Sequence, residues 1–370
     1  MKLTLNRSEL VEACKAVQSG ANGKSGMTIL ANVKMVAANG ELQLTTTNLD
    51  VELQTSVTCK VDEDGETTIP MKMIMSVANA LPEGDVTIVS DEDDKMHING
   101  GSANFTIGGI KASQFPVFPA IAKSDAKFTI AVSELRDLLR KTSFAICNDE
   151  TRRALSCVLF EIKKGTVSCV ATDGRRLALS TRNGKGLTDD IKARICVPKE
   201  TIAAILRTAS GDGEVEIEAG NGLIKFAFSG PRKNVVSSKL IDSQFPNYEN
   251  VLPKSHEFEV VIDRKQLIEA VSRVAVVPSS TENSVRFTFE ENQLIIEVKG
   301  DDYCGARDAM PISNNGAKFT TVYNSRFVIE PLKALDADAV KFLLNDGASP
   351  AAIKADGEVF YGVIMPMRIN

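Results

Sequence analysis

The segment Gly20-Ala21-Asn22-Gly23-Lys24-Ser25 comes nearest to a chemical device in this chain, because glycines ahead of a lysine and a serine can wrap a phosphate in backbone N–H groups. Its spacing fails. Gln18 stands five residues before Gly23, where a phosphate loop needs its first glycine, and the segment leaves a helical pattern instead of opening one. Two histidines, His97 and His256, lie in polar stretches and offer little for metal binding or imidazole catalysis. Seven cysteines (Cys14, Cys59, Cys147, Cys157, Cys169, Cys196 and Cys304) are odd in number and never in a CxxC spacing. They read as small buried hydrophobes of a reducing compartment. The run Asp91-Glu92-Asp93-Asp94 reads as a surface turn, not a two-metal site, and there is no GxSxG or paired His–carboxylate motif. No catalytic residue, metal or cofactor is therefore expected, and function must come from a surface or a shape.

The elements that could make such a shape repeat. LNRSELVEACKAV, IAVSELRDLLRKT and VIDRKQLIEAVSRV each combine a strand-like start with leucines at helical spacing, keyed on Leu10, Leu135 and Leu267. Each is followed by two alternating runs around a polar turn: ELQLTTTNLDVELQTSV, TVSCVATDGRRLALST and QLIIEVKGDDYCGARD. Asn48, Asp173 and Asp301 hold the same place in these hairpins. A second short helix follows in IPMKMIMSVANALPEG, VPKETIAAILRTASGDG and NSRFVIEPLKALDAD. SQFP occurs at 113–116 and again at 243–246, and all these markers recur 125 to 132 residues apart. Asn6 with Glu9 and Asp263 with Gln266 read as capping boxes, while Pro331 should kink or shorten the last helix. The fold class is α+β, tripled, with domains at 1–123, 124–253 and 254–370.

A chain of 370 residues with 43% hydrophobic and 25% charged residues suits two or three ordinary domains. The leading residues alternate apolar and polar and no apolar run would cross a bilayer, so a cytoplasmic protein without membrane partners is expected. Tandem copies joined by short linkers present similar strand edges. Each edge can pair with the next copy, and three copies turned about 60° apiece close a ring when two chains join. A rod of beads, an adhesive array of β-rich domains, is the rival. The net charge of −5 speaks against a basic grip on nucleic acid, yet five of the six predicted helices carry +1 and the first is neutral. Basic helices on an acidic body suit a ring whose inner wall faces phosphates.

VATDGRRLALS at 170–180, IDSQFPNYENVLP at 241–253 and YGVIMPMRIN at the end resemble the bacterial sliding clamp family, the β subunit of DNA polymerase III, in register along the whole chain. The resemblance implies three similar clamp domains, each with two helices lining a central hole and antiparallel sheets outside, in a head-to-tail homodimeric ring. It implies no catalysis. It also implies double-stranded DNA as a partner, and a cleft that receives short linear peptides of the replicative polymerase, the clamp loader and repair proteins.

Carried over residue by residue, the cleft comprises Leu155, Thr172, Gly174, Arg175, Leu177, Pro246 and Val251, with Asn324, Val363, Met365, Pro366, Met367 and Arg368. Two methionines would give an adaptable floor, and the two arginines a rim for backbone or acidic groups; the rival reading makes Met365 and Met367 core residues of a terminal strand. The sequence departs from the family at Asn250, where some members carry arginine, and at Glu282, where an aromatic can occur. Lys24, Arg152 and Arg153 match positions that touch the duplex, and helix position adds Arg136, Arg140, Lys141, Lys199 and Arg207. Ring closure would use Phe105 and Ile107 against the stretch holding Val271, Val274 and Val277.

Overall fold

In the computed structural model all residues are described except 22–25, 190, 231, 280–282, 301–303 and 369–370. Six α-helices occur among them: α1 (Arg7–Val17), α2 (Met71–Ala80), α3 (Val132–Arg140), α4 (Lys199–Thr208), α5 (Arg264–Val274) and α6 (Ser325–Ala334). Leu10, Leu135 and Leu267 are all fully buried, as their helical spacing requires. Asn6 caps α1 by accepting from the amide of Ser8, and Asp263 caps α5 by accepting from that of Gln266. The α1 box is not closed by Glu9, whose carboxylate instead takes the guanidinium of Arg232 at 2.8 Å. Pro331 does not shorten α6, which runs three residues past it and matches α2 and α4 at 10 residues.

Each predicted hairpin forms. Its strands are Glu41–Thr47 with Val51–Thr58, Thr166–Thr172 with Arg176–Asn183, and Gln293–Lys299 with Gly305–Pro311. Asn221-Gly222, both at positive φ (53° and 74°), turn the strand Glu214–Gly220 into Leu223–Phe228. Residues 91–94 make the turn between Asp85–Ser90 and Lys95–Gly100, where the Asp91 carboxylate accepts from the amides of Asp93 and Lys95. Asp301 and the phosphate-loop candidates Gly23, Lys24 and Ser25 lie outside the described residues.

Compactness divides the chain differently from repetition. One unit holds residues 1–136, 184–188 and 200–240, and the other 137–183, 189–199 and 241–370, so the cut runs through the middle repeat. The physical reason is sheet continuity. In the first unit an eight-stranded antiparallel sheet runs Ala126–Ala131, Glu214–Gly220, Leu223–Phe228, Val235–Lys239, Val51–Thr58, Glu41–Thr47, Asn32–Ala38, Gly65–Pro70. Its central pairing, Val236 opposite Leu53 and Ser238 opposite Val51, joins the last strand of the second repeat to the hairpin of the first. A five-stranded sheet in the same unit runs Lys60–Glu63, Lys2–Asn6, Asp85–Ser90, Lys95–Gly100, Ala103–Gly108.

The second unit repeats the rule. Its nine-stranded sheet runs Ala193–Pro198, Cys157–Lys163, Thr166–Thr172, Arg176–Asn183, Phe360–Ile364, Ala351–Lys354, Ala339–Leu344, Phe258–Asp263, Ser313–Asn314. Arg176–Asn183, the second strand of the middle hairpin, pairs with Phe360–Ile364 of the third repeat. A four-stranded sheet runs Gly305–Pro311, Gln293–Lys299, Ser284–Phe289, Phe319–Asn324. Five of the cysteines are buried as small apolar groups, whereas Cys59 is half-buried and Cys304 exposed.

Candidate functional site

The cleft residues of the sequence reading all fall in the second unit, around the pairing that joins the middle and last repeats. Leu177 lies opposite Val363 across that pairing, and both are buried. The turn before Leu177 is tied tightly: the Thr172 hydroxyl donates to the carbonyl of Arg176 at 2.6 Å, and Asp173 Oδ1 accepts from the amides of Arg175 and Arg176. Gly174 is required at its tip, with φ at +86° and the guanidinium of Arg152 2.8 Å from where a Cβ would sit. Arg152 also donates to the Asp173 carbonyl at 2.7 Å, so one of the residues assigned to DNA is fastened to the turn of the cleft.

After the last strand ends at Ile364 the chain bridges two elements, with the Met365 amide donating to the Arg175 carbonyl (2.9 Å) and the Met367 amide to the Val322 carbonyl (2.7 Å). A cavity of about 400 Å³ opens there, lined by Arg175, Asn324, Phe327, Met365, Pro366, Met367 and Arg368. Met365 is 38% exposed and Met367 half-buried, so neither is a core residue of a strand. Asn324 caps α6 by accepting from the amide of Arg326. Among the described residues no carboxylate lines this cavity, whose two arginines and apolar floor suit a chain with apolar anchors and acidic neighbours.

Two side chains at this candidate site escaped the sequence reading. Phe327, one turn into α6, walls the cavity. Arg176 holds it: its guanidinium lies 4.5 Å over the Phe327 ring and 5.5 Å from that of Phe144. The same group pairs with Asp173 and Glu330 and donates to the Phe144 carbonyl. Arg175 sits exposed in the turn, whereas Arg176 opens the strand and is buried beneath α6.

Leu155, on a short 3₁₀ turn, and Thr172 are buried, whereas Pro246 and Val251 are exposed. These last two lie on a strap, residues 241–253, that crosses the sheet. The strap drives Phe245 and Tyr248 into a cluster with Cys157, Leu159, Val170, Leu177, Cys196 and Val363. The Tyr248 hydroxyl donates to the buried Glu161 at 2.6 Å. Glu161 also meets Lys163 at 3.0 Å and Arg194 at 2.9 Å. Burial pushes the Glu161 carboxyl up, but Tyr248, Lys163 and Arg194 together bring it below its ordinary value. Burial and the Glu161 carboxylate push the Tyr248 hydroxyl up. Asn250 is exposed on the strap; Glu282 lies outside the described residues.

The DNA candidates divide. Lys24 lies outside the described residues, and Arg152, Arg153, Arg136, Lys199 and Arg207 are exposed, Lys199 meeting the Asn148 side chain. Lys141 is corrected. It is 3% exposed and paired at 2.8 Å with both Asp137 and Glu358, so it cannot reach a phosphate. Arg140 is engaged by Asp137 and Asp336, and Arg182 also takes Asp137. Arg140 and Lys141 thereby tie the end of α3 to the last repeat, through Asp336 and Glu358. Of the closure candidates, Phe105 is half-buried and Ile107 buried on the edge strand of the five-stranded sheet. Val271 and Val274 are core residues of α5; Val277 is half-buried, and Val276, within the same stretch, is 80% exposed.

Comparison with known proteins places these features. Family models for the N-terminal, central and C-terminal domains of the DNA polymerase III β subunit match residues 1–119, 129–247 and 249–368. The beta sliding clamp of Pseudomonas aeruginosa is 31% identical over 372 residues, covering all of both chains. A crystal structure of the P. aeruginosa clamp bound to griselimycin superposes with a TM-score of 0.95 at 30% identity over all of both chains. The Bartonella birtlesii clamp bound to griselimycin does so with 0.93 at 28% identity, again over the full length of both. This chain, three mixed α/β clamp domains with antiparallel sheets, belongs to the DNA polymerase III β-subunit family, the β sliding clamps.

Proposed function

We propose that two copies of this chain, each of three domains (1–123, 124–253 and 254–370), close head to tail into a ring around duplex DNA. The ring tethers the replicative polymerase, the clamp loader and repair proteins by short peptides that enter the cleft at Leu177, Val363 and Met365. Such a ring would work in the cytoplasm, where bacterial DNA lies, and would catalyse nothing itself. Processivity then comes from linkage, with weak phosphate contacts that permit sliding.

One observation carries this reading: the rule that joins successive repeats is used twice within the chain and leaves one edge of each kind over. In both internal joints the second strand of a repeat's hairpin pairs with the last strand of the next repeat. Gly305–Pro311, the second strand of the third hairpin, ends the four-stranded sheet, and Ala103–Gly108, the last strand of the first repeat, ends the five-stranded one. Pairing these edges between two copies would make a nine-stranded sheet like the one already in the second unit. Alternation restricts the register, because Ala306, Asp308 and Met310 lie opposite the buried Val298, Ile296 and Leu294 and so face inward. On the other edge Ala103, Phe105 and Ile107 face inward, opposite Gly100, Ile98 and Met96. Inward must meet inward.

The cleft has its own support in the apolar floor of Met365 and Met367 and in its arginine rim. The relatives bound to griselimycin are clamps with a ligand site. Sedimentation at micromolar concentration tests the ring: two associated chains agree with it, and a single chain or an open-ended series of sizes contradicts it.

A further inference from the structure

The strap at 241–253 has a counterpart that lacks its fastening. SQFP opens both segments, but Phe118 stands in the first repeat where Tyr248 stands in the second. The acceptor is missing there too. Asn32 pairs with Pro70 and Val36 with Glu66 in the first repeat, as Cys157 pairs with Pro198 and Glu161 with Arg194 in the second, so Val36 holds the place of Glu161. The first repeat thus forms the same strands without a buried carboxylate or a tyrosine hydroxyl to meet it, and the clasp is not a requirement of the fold.

What the clasp does hold is one wall of the cleft. Phe245 and Tyr248 pack against Leu177 and Val363 from the outer side, and the exposed Pro246 and Val251 flank Tyr248 in the strap. A second ion pair, Lys163 with Glu249 at 2.8 Å, ties the residue after Tyr248 to the same strand. Arg194 reaches both Glu161 and, at 3.4 Å, the carbonyl of Phe245. Three groups of the sheet therefore converge on the five residues from Phe245 to Glu249.

We infer that Tyr248 is a positioning residue for peptide binding, its hydroxyl bond to Glu161 holding the strap where Pro246 and Val251 complete the cleft. This rests on the reading that the cleft binds peptides. The probe is a fluorescently labelled peptide with leucine and phenylalanine anchors, its Kd read by anisotropy on full-length protein well below the melting temperature. Tyr248→Phe weakens binding about fivefold, because only part of the worth of a hydrogen bond to a charged partner passes from the strap to the peptide. Glu161→Gln keeps an acceptor and stays within about twofold, whereas Glu161→Leu matches Tyr248→Phe. A merely structural clasp would lower the melting temperature of these variants and leave Kd unmoved. Unchanged Kd in both Tyr248→Phe and Glu161→Leu overturns the inference, and Glu161→Leu alone decides it if Tyr248→Phe does not fold. No binding to the unsubstituted protein would instead sink the peptide reading beneath it.

Discussion

Leu177 and Val363 face each other across two antiparallel strands that lie 186 residues apart in the chain and belong to different repeats. The pairing makes the joint and the cleft one object. Whatever strengthens the sheet there also fixes the distance between the turn at Gly174 and the segment at Met365.

Met365→Ala removes the exposed part of the cleft floor without opening the core, since the side chain is already 38% exposed. A peptide with leucine and phenylalanine anchors should bind about tenfold more weakly, while the melting temperature moves little. Equal affinity in titration would remove Met365 from the site.

Arg176 behaves differently, because it is nearly buried and satisfied on several sides. Arg176→Ala leaves Asp173 and Glu330 without their cation and strips Phe327 of its stacking partner, at a cost of about 3 kcal/mol in chemical denaturation. Arg176→Lys recovers only a small part of this, since a compact ammonium lacks the planar five-donor fork of the guanidinium and cannot stack flat on a ring. Full recovery by lysine would contradict the geometry.

Lys141 gives a prediction in pH. Burial pushes the Glu358 carboxyl up, but Lys141 and the amides of Ala337 and Asp336 hold it net below its ordinary value. Arg140 lowers Asp336 first of all, with Lys141 and Arg264 adding to it. Carboxylates lowered in the folded state favour folding above their ordinary pKa and lose that contribution as pH falls through the lowered one. Stability should therefore drop from about pH 5 to about pH 3, and Glu358→Gln should flatten the drop. Lys141→Met should destabilise at neutral pH yet leave the salt dependence of DNA binding unchanged, unlike Arg207→Glu. An altered salt slope in Lys141→Met would put that lysine back among the DNA contacts.

Phe105→Asp puts a carboxylate in place of a ring on the inward face of a free edge, where it would meet the inward row Ala306, Asp308 and Met310. Sedimentation should show single chains at concentrations where the unsubstituted protein is paired. Persistent pairing would move the closure elsewhere.

The sequence carried the repeats and the hairpins, because alternation and helical spacing are local and recur three times; the cleft residues came from the family resemblance alone. It could not show which cations are engaged. Lys141 and Arg207 look alike in a charge count, and only the approach of Asp137 and Glu358 separates a buried pair from an exposed group. Arg175 and Arg176 are adjacent and identical in type, yet the turn leaves the first exposed while the second opens a strand and is buried among Asp173, Glu330 and Phe327. The strap was legible as a motif, SQFP, but its clasp depends on Glu161 lying 87 residues before Tyr248, a separation no local pattern reveals.

The most direct measurement loads the protein with a clamp loader onto nicked circular DNA, cuts the circle, and follows what stays bound at high salt. A topological ring remains on circles and is lost from the linear product. Binding that salt removes equally from both forms, indifferent to DNA ends, would contradict it.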